Sequence, residues 1–553
     1  MSLTTLFAEK LARYHLLSDD TSIAVAYSGG VDSHVLLHLC VSLRKKFPKI
    51  TIKALHVNHG ISENALRWQM HCQSVCKQLK VPFLVTTLAV PTIPRVSLEE
   101  TARKLRYQAL AEMMDTDDIL ALGQHQQDQV ETLLLQLKRG AGPKGLAAMA
   151  EWGAQQVPDA TQQYRFFRPL IDIPKAMVLD YAQAQQLCWQ DDESNTDSRF
   201  DRNFLRNDIL PALTERWPGF SSAVTRSARL CAEQQVLLDE QSDILFQSMP
   251  ETQVPYISRY LHGLSIAQTL GRGSAEQVNA LTRFPLLTLN VEWLLSHSEQ
   301  WQRQLLRRWV EHWRNELQKL SVVNCAGLPE LGERSVVAAT LPLPNETVLL
   351  RVQRELLNTR VSHSALIKHG RWQFRRYRQN LYLSPAMLEA NSWATNLLDS
   401  LDGATSESAE HALPFGLGHV SMQIAEAEQT SYAISAELNE QGVVVCLPKA
   451  LLPRLSVNLG GLTSRFHAKD AAHSKPLKQW FKDYWFVPPW LRSRIPLIML
   501  EQQVLAVANC YVANSAVLEN IDATCEATLQ DNNREWISLT VRWQPIAAAQ
   551  SNS

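Results

Sequence analysis

Ser28-Gly29-Gly30-Val31-Asp32-Ser33 sits between the apolar run Ile23-Ala24-Val25-Ala26-Tyr27 and a stretch whose apolar positions are Val35, Leu36, Leu37 and Leu39. The first run reads as a buried strand and the second as a helix, so the six residues make a strand-to-helix turn. Paired glycines let the backbone turn tightly and approach a ligand. N–H groups at a helix N-terminus favour phosphate there. Asp32 beside a phosphate calls for a divalent cation between the two, while Ser28 and Ser33 add hydroxyls. The plain alternative is a glycine turn capped by serine and aspartate.

Outward from this turn, 23–27, 51–57, 83–88 and 119–123 read as strands, with helical patterns near 32–45, 63–79, 97–114 and 125–138. Such alternation predicts an α/β fold with an open parallel sheet and helices on both faces. Ligands of such sheets sit at the carboxyl ends of the strands. The loop after the second strand, His56-Val57-Asn58-His59-Gly60, lies at that edge. Ser97 and Glu100 form a capping box opening the third helix. Arg103 and Tyr107, four apart, share a face away from Leu98, Ala102, Leu105 and Ala109, which places Arg103 to reach a phosphate. After the fourth strand, His125, Asp128 and Glu131 recur every three residues as a polar row suited to a metal or an amine. Lys138 and Arg139 open a basic, glycine-rich stretch without the Walker pattern, read as a lid near the phosphates. An acidic run at 191–197 leads into Arg202 and Arg206, one helical turn apart.

The whole chain has 553 residues, too many for one core, with 45% apolar and 20% charged residues, as in a soluble globular protein. No apolar run reaches the ~18 residues that span a bilayer. The first 15 residues read as an amphipathic helix rather than a signal peptide. Nine cysteines lack C-x-x-C spacing, and Cys72 and Cys76 read as packing groups, so a reduced, cytoplasmic protein without structural zinc or iron–sulfur is expected. The formal charge of −1 hides segregation. Residues 386–448 carry acids and no Lys or Arg, whereas 454–494 are mostly basic, as a polyanion binder requires.

Residues 28–33 resemble the PP-loop signature of ATP pyrophosphatases. With 56–60, 100–107, 125–132, 138–149 and 191–206 they resemble, in order and spacing, the tRNA(Ile)-lysidine synthetase family. Residues 226–234 and 487–492 look like its longer, three-domain form. Gln127 stands where many members have an aspartate, and the chain exceeds the usual length, with the surplus expected in 320–365 and 386–448.

The resemblance implies a PP-loop (adenine nucleotide alpha hydrolase-like) domain at 1–215. A linker helix and helical domain would follow at 216–385. An acidic insertion or linker and a smaller, mixed, basic C-terminal domain would occupy 386–553. It implies adenylation of C2 of the wobble cytidine in the CAU anticodon of tRNA(Ile) by ATP, then attack by the amine of L-lysine, changing identity from Met to Ile. The implied catalytic residues are Asp32, Arg103, Asp128, Glu131, Arg202 and Arg206. ATP would be held by Ser28, Gly29, Gly30, Val31, Asp32, Ser33, His56, Asn58 and His125, with Asp32 supporting Mg²⁺. Rejection of methionine tRNAs would lie in the C-terminal domains. Monomer and homodimer both remain open.

In the later chain, Leu305, Leu306, Trp309 and Trp313 mark a buried helical stripe. Trp372, Phe374 and Arg376 alternate with Arg371, Gln373 and Arg375 as in a strand that could present a charged face. Arg465, Lys475, Lys478, Lys482 and Arg492, interleaved with Phe466, Trp480, Trp485 and Trp490, suit the backbone of a folded RNA. With Lys138, Arg139, Arg371, Arg375 and Arg376 they form the expected tRNA-contacting set. A tRNA thiolase and a non-catalytic nucleotide-responsive tRNA binder are the competing readings. The first wants suitably placed cysteines, and the second has no use for Arg103, Asp128 and Glu131 together.

Overall fold

A computed structural model describes residues 2–18, 20–58, 64–88, 98–157, 163–190, 200–250, 254–269, 275–322, 341–358, 365–386, 393–396, 408–414, 419–426, 434–439, 442–469, 471–514 and 536–544. His59, Ser97 and the acidic run 191–197 lie outside these. The chain forms two compact units, Met1–Ile244 and Leu245–Ser553.

The first unit runs α1 (Leu3–Arg13), β1 (Ser22–Ala26), α2 (Val31–Ser42), β2 (Thr51–Asn58), α3 (Ala65–Gln78), β3 (Phe83–Thr87), α4 (Leu98–Glu112) and β4 (Ile119–Ala121). It continues with α5 (Gln126–Lys138), α6 (Pro143–Leu146), β5 (Trp152–Gln156), β6 (Gln163–Phe167), α7 (Lys175–Ala184), α8 (Asp201–Phe204), α9 (Leu210–Arg216) and α10 (Phe220–Gln247). Its sheet has the order β3-β2-β1-β4-β6-β5. All neighbours pair parallel except β5 and β6, which are antiparallel. The alternation of strand residues explains how both faces are covered. Ile23 and Val25 join a core with Phe7, Leu36 and Val178, while Ala24 between them packs on the other side with Tyr107 and Leu110 of α4. Each large side chain buried in this way contributes about 2 kcal/mol. On α4 the buried face includes Tyr107, Ala109, Leu110 and Ala111, so Tyr107 belongs to the core. Because β1 pairs with β2 on one side and β4 on the other, the order reverses at the carboxyl end of β1. That end is the switch point where doubly wound sheets bind ligands.

The second unit begins with α11 (Tyr256–Thr269), α12 (Ala275–Arg283), α13 (Val291–Leu295) and α14 (Glu299–Val322). The predicted α14 stripe is buried at Leu305, Leu306, Trp309 and Trp313, and the Trp309 indole donates to the Leu286 carbonyl at 2.7 Å. Short β7 (Thr288–Asn290) joins β8 (Leu366–His369), β9 (Trp372–Tyr377) and β10 (Asn380–Pro385) in an antiparallel sheet, β7-β10-β9-β8. Strand β9 forms as predicted, but its charged face does not. It lies between β8 and β10 with Gln373 and Arg376 buried along with Trp372 and Phe374.

The acidic stretch read as a linker or insertion carries strands. It contains β11 (Trp393–Asn396), β12 (Ser408–Ala412), β13 (His419–Glu426), β14 (Ser435–Asn439) and β15 (Gly442–Pro448). Strands β16 (Leu455–Leu459), β17 (Arg465–Phe466), β18 (Lys475–Pro476), β19 (Leu497–Leu500), β20 (Gln503–Val507), β21 (Tyr511–Val512) and β22 (Trp536–Gln544) follow. One sheet has the order β12-β13-β22-β15-β14 and another β11-β16-β19-β20-β21. Val420 and Met422, like Val443, Val445 and Leu447, alternate inward, so period-2 apolar patterning rather than charge decided this region.

Candidate active site

The turn after β1 is built as its residues dictate. Gly29 has φ +92°, and Gly30 caps α2 in an extended conformation. A Cβ on Gly29 would lie 2.8 Å from Cys72 Sγ, and one on Gly123 would lie 3.1 Å from the Asp32 backbone, so both glycines permit close approach. Ser33 Oγ accepts from the Ser28 N–H at 3.2 Å and donates to the Gly30 carbonyl at 3.0 Å, closing the loop across its mouth. Val31 is buried as the first residue of α2.

His125 and Asp128 form a capping box at the start of α5. The His125 N–H donates to Asp128 Oδ2 at 3.0 Å, and the Gln127 N–H donates to His125 Nδ1 at 3.2 Å. An accepting Nδ1 leaves the proton on Nε2. That nitrogen lies 3.6 Å from Asp32 Oδ1 and 3.6 Å from Asp128 Oδ2. Burial pushes the imidazole below its usual range, against the pull of Asp128 and Asp32, so it is neutral near pH 7. Asp32, 29% exposed, also takes Lys175 Nζ at 2.5 Å.

Glu131, one turn further along α5, is 0% exposed and is gripped by two arginines. Arg206 Nε donates to Oε1 at 2.8 Å and its NH2 to Oε2 at 2.9 Å, with a further bond to Asp128 Oδ1 at 3.0 Å. Arg202 Nε lies 3.3 Å from Glu131 Oε2, and its NH2 donates to Thr132 at 2.9 Å. Arg206 sits in a π-helical turn, Leu205–Ile209, following α8. Such turns break the regular ladder and recur at functional sites. Burial raises the Glu131 carboxyl above its usual range despite Arg206. Burial also opposes ionisation of Asp128, yet His125, its backbone N–H and Arg206 outweigh it and hold that carboxyl low. Asp32, Asp128 and Glu131 thus face Lys175, Arg202 and Arg206, three charges of each sign.

Arg103 and Arg106 lie 5.2 and 5.5 Å from the Tyr107 ring centroid. Arg168 stacks 4.2 Å from the Phe166 ring and donates to Gln124 at 3.1 Å and to the Ala150 carbonyl at 2.8 Å. Burial would raise the Tyr107 phenol, but Arg103, Arg106 and Arg168 outweigh it and hold it below its usual range. Among the described residues Arg103 and Arg106 have no carboxylate partner, so this side of the site is positive and suits phosphate.

The structure brings Asp32, His125, Asp128, Glu131, Arg202 and Arg206 together. His56 is placed differently: its buried Nδ1–H donates to the Tyr27 carbonyl at 2.8 Å, tying β2 to the turn. Asn58 donates to Gln69 at 3.0 Å. Lys138 pairs with Asp201 at 2.7 Å on the surface, and Arg139 is exposed. Lys175, Arg106 and Arg168 were missed. Arg168 directly follows β6 and Lys175 opens α7, positions that no local pattern marks as part of the site.

In the second unit, Arg371, Arg465, Lys478 and Lys482 are exposed, and Arg375 and Lys475 half-buried. Arg376 is buried and donates to the carbonyls of Leu356 and Leu357, both at 2.9 Å. Arg492 is buried and donates to the Val487 carbonyl at 2.9 Å and to the Tyr377 hydroxyl at 3.2 Å. Both expectations of RNA contact are therefore corrected, because carbonyls inside the fold already hold these guanidinium groups. Phe466, Trp480 and Trp485 are likewise buried rather than displayed.

The PP-loop domain family matches residues 3–213, and the TilS substrate C-terminal domain family matches 455–528. The tRNA(Ile)-lysidine synthase of Vibrio vulnificus (strain CMCP6) is 34% identical over 493 residues, 89% of this chain and 92% of the relative. That of Serratia proteamaculans (strain 568) is 32% identical over 499 residues, 89% and 92% of the two chains. Among solved structures, the U34-tRNA thiolase NcsA from Methanococcus maripaludis with its 4Fe-4S cluster matches at 20% identity and TM-score 0.35, covering 42% of this chain and 78% of that one. Matched along nearly the full length of such relatives, the chain belongs to the tRNA(Ile)-lysidine synthase family and is an enzyme with an ATP-using PP-loop domain.

Proposed function

We propose that this enzyme joins the side-chain amine of L-lysine to C2 of the wobble cytidine in the CAU anticodon of tRNA(Ile), consuming ATP. The observation that carries this reading is the continuity of the phosphate-type turn with the buried acidic row, through His125 at 3.6 Å from both Asp32 and Asp128. In the first step the C2 oxygen bonds to the α-phosphorus, the bond from that phosphorus to the bridging oxygen breaks, and pyrophosphate leaves. N–H groups at the start of α2, with Ser28 and Ser33, suit the departing pyrophosphate. Arg103 and Arg106 suit the phosphate under attack. In the second step the lysine nitrogen bonds to C2 and loses a proton, while the C2–O bond breaks and AMP leaves. The lysidine so formed pairs as isoleucine decoding requires, in place of methionine.

A free lysine amine, with pKa ~10.4, is mostly protonated at pH 7 and so needs a site that takes its proton. Glu131, buried and raised in pKa, is suited to that proton, while Asp128 stays anionic to hold the ammonium. Because these carboxylates are already balanced by Arg202 and Arg206, entry of lysine displaces one arginine contact. Arg202 or Arg206 then turns to the adenylated base.

The residues present also fit Mg²⁺, which is commonly held by one or two carboxylates plus substrate phosphates. Asp32 would hold it, with the Ser28 and Ser33 hydroxyls nearby, and when bound it neutralises charge on the phosphates. Lys175 balances Asp32 and serves the same pyrophosphate. A sulfur-transferring reading has weaker support, since burial pushes the Cys40, Cys72 and Cys76 thiols up to about 12.

Incubation with ATP, radiolabelled lysine and an unmodified CAU-anticodon tRNA is expected to place lysine in the RNA with release of AMP. Absence of ATP-dependent incorporation would sink the reading.

A further inference from the structure

A cavity of about 640 Å³ lies in the second unit. Its walls include Trp480, Trp485, Tyr484 and Tyr511, with Lys469, His473 and Lys475 at the edge. Three short elements set its shape. The β17–β18 ladder pairs Phe466 with Lys475, the π-helical turn Trp480–Tyr484 follows it, and β21 closes the far side. The Lys469 N–H donates to the Val512 carbonyl at 3.1 Å, and the Trp480 indole donates to the Phe466 carbonyl at 2.8 Å. The walls are therefore held by hydrogen bonds and do not depend on a ligand to form.

The aromatic wall is continuous. Tyr511 and Trp485 stack at 4.0 Å and 10°, Trp485 and Trp480 at 5.5 Å and 26°, and Tyr484 lies 4.7 Å from Trp480. Trp480 is 5% exposed, whereas Tyr484 is 47% exposed and forms the open end. Lys475 Nζ donates to the Tyr484 hydroxyl and lies 4.2 Å from its ring centroid. Among the described lining residues there is no carboxylate. Arg465, Lys478 and Lys482, all exposed, extend the positive charge around this part of the chain.

We propose that this cavity binds a single unpaired nucleotide of RNA, its base against Tyr484, the exposed end of the aromatic wall, and its phosphate against Lys469, His473 and Lys475. The chemistry selects this occupant. Aromatic rings beside cations take an unstacked base with its phosphate, and every base has a face to offer. A cavity of this size holds one nucleotide. A paired base would keep its faces covered, so helical RNA cannot use the aromatic wall. The proposal rests on the reading that the substrate is a tRNA, and it adds that part of the tRNA is recognised as single strand, at a distance in sequence from the catalytic residues.

The test titrates the full-length protein with a single-stranded RNA, 5′-ACCA-3′, following tryptophan emission, alongside a blunt RNA duplex and free AMP. The signal assigned to this site is the part lost in Tyr484→Ser, an exposed position where folding is little affected. The tetranucleotide is expected to change the emission, and Lys475→Glu to weaken its binding about tenfold or more, equivalent to about 1.4 kcal/mol. Equal binding to the Lys475→Glu chain, or a duplex competing as well as the single strand, would overturn the proposal. AMP binding there as tightly as the tetranucleotide would overturn it too, in favour of a free nucleotide. Lysine incorporation by the wild-type chain is scored separately. Its absence with tetranucleotide binding intact would remove the proposed reaction and leave the site standing, and the converse result would remove only the site.

Discussion

Gly29 and Lys175 illustrate two kinds of residue at the catalytic turn, one readable in the chain and one not. With φ +92° and Cys72 Sγ 2.8 Å from where a Cβ would go, Gly29 tolerates no side chain without movement. Gly29→Ala is expected to weaken ATP binding about tenfold or more, measured by calorimetry, since strain of this kind costs 1–3 kcal/mol. Adding Cys72→Ala removes the sulfur that a Cβ at position 29 would meet but does nothing for the φ of +92°, so recovery should stay partial; full recovery would show that only the sulfur mattered. Lys175 meets Asp32 across 143 residues of sequence. Lys175→Met is expected to lower kcat/KM for ATP by about 100-fold, the size of an electrostatic contact to a reacting phosphate, with KM for lysine little changed. Lys175→Arg should restore much of the rate. An unchanged kcat/KM for ATP in the Met variant would assign Lys175 to charge balance alone. Asp32, His125 and Glu131 were legible because each lies in a local motif, Asp32 in the turn after β1 and the other two at helical spacing in α5 and its cap. Lys175, Arg106 and Arg168 were not, because their site neighbours come from other elements.

At the scale of elements, α5 and the π-helical turn at Leu205–Ile209 meet through Glu131, Asp128 and Arg206. Arg206→Ala leaves Glu131 buried beside Arg202 alone, and a broken buried pair costs about 3–5 kcal/mol. Urea unfolding should show a loss of that order, reduced in the double variant with Glu131→Gln. The loss also depends on pH. The folded Glu131 carboxyl is raised above its unfolded value, so the folded state holds the proton more tightly and loses relative stability as pH rises past the ordinary carboxylate range. Removing Arg206 raises it further, so the penalty should be smaller at pH 5 than at pH 8. An equal penalty at both pH values would mean that Glu131 stays ionised throughout. The strands and helices of the first unit follow the predicted order because hydrophobic period marks them locally. Strand β9 shows the limit: its period was legible, whereas its central place between β8 and β10, which buries Arg376, was not.

For the whole molecule, the two units make different demands on the chain. In the second, β22 lies between β13 and β15, so residues 536–544 complete a sheet begun more than a hundred residues earlier. A chain ending at residue 535 loses ladder bonds on both sides of that strand and the burial of Leu539 and Val541. Calorimetry is expected to show loss or strong lowering of the transition belonging to Leu245–Ser553, with that of Met1–Ile244 retained. Unchanged melting of both would show that β22 adds little to its sheet.

The sequence by itself determined the parallel sheet, the turn at its switch point, and the His125–Asp128–Glu131 row, since each follows from local period, backbone freedom or helical spacing. The relatives agree with the family resemblance that these residues carry. Only the tertiary structure decided that Lys175 faces Asp32, that Arg202 and Arg206 neutralise the acidic row, and that Arg376 and Arg492 are inside the fold. It also decided that an acid-rich stretch is sheet and that the C-terminal tryptophans wall a cavity. The reason is physical: a charge or a ring has no fixed role until distant segments set its burial and its partner, and sequence carries no direct record of either.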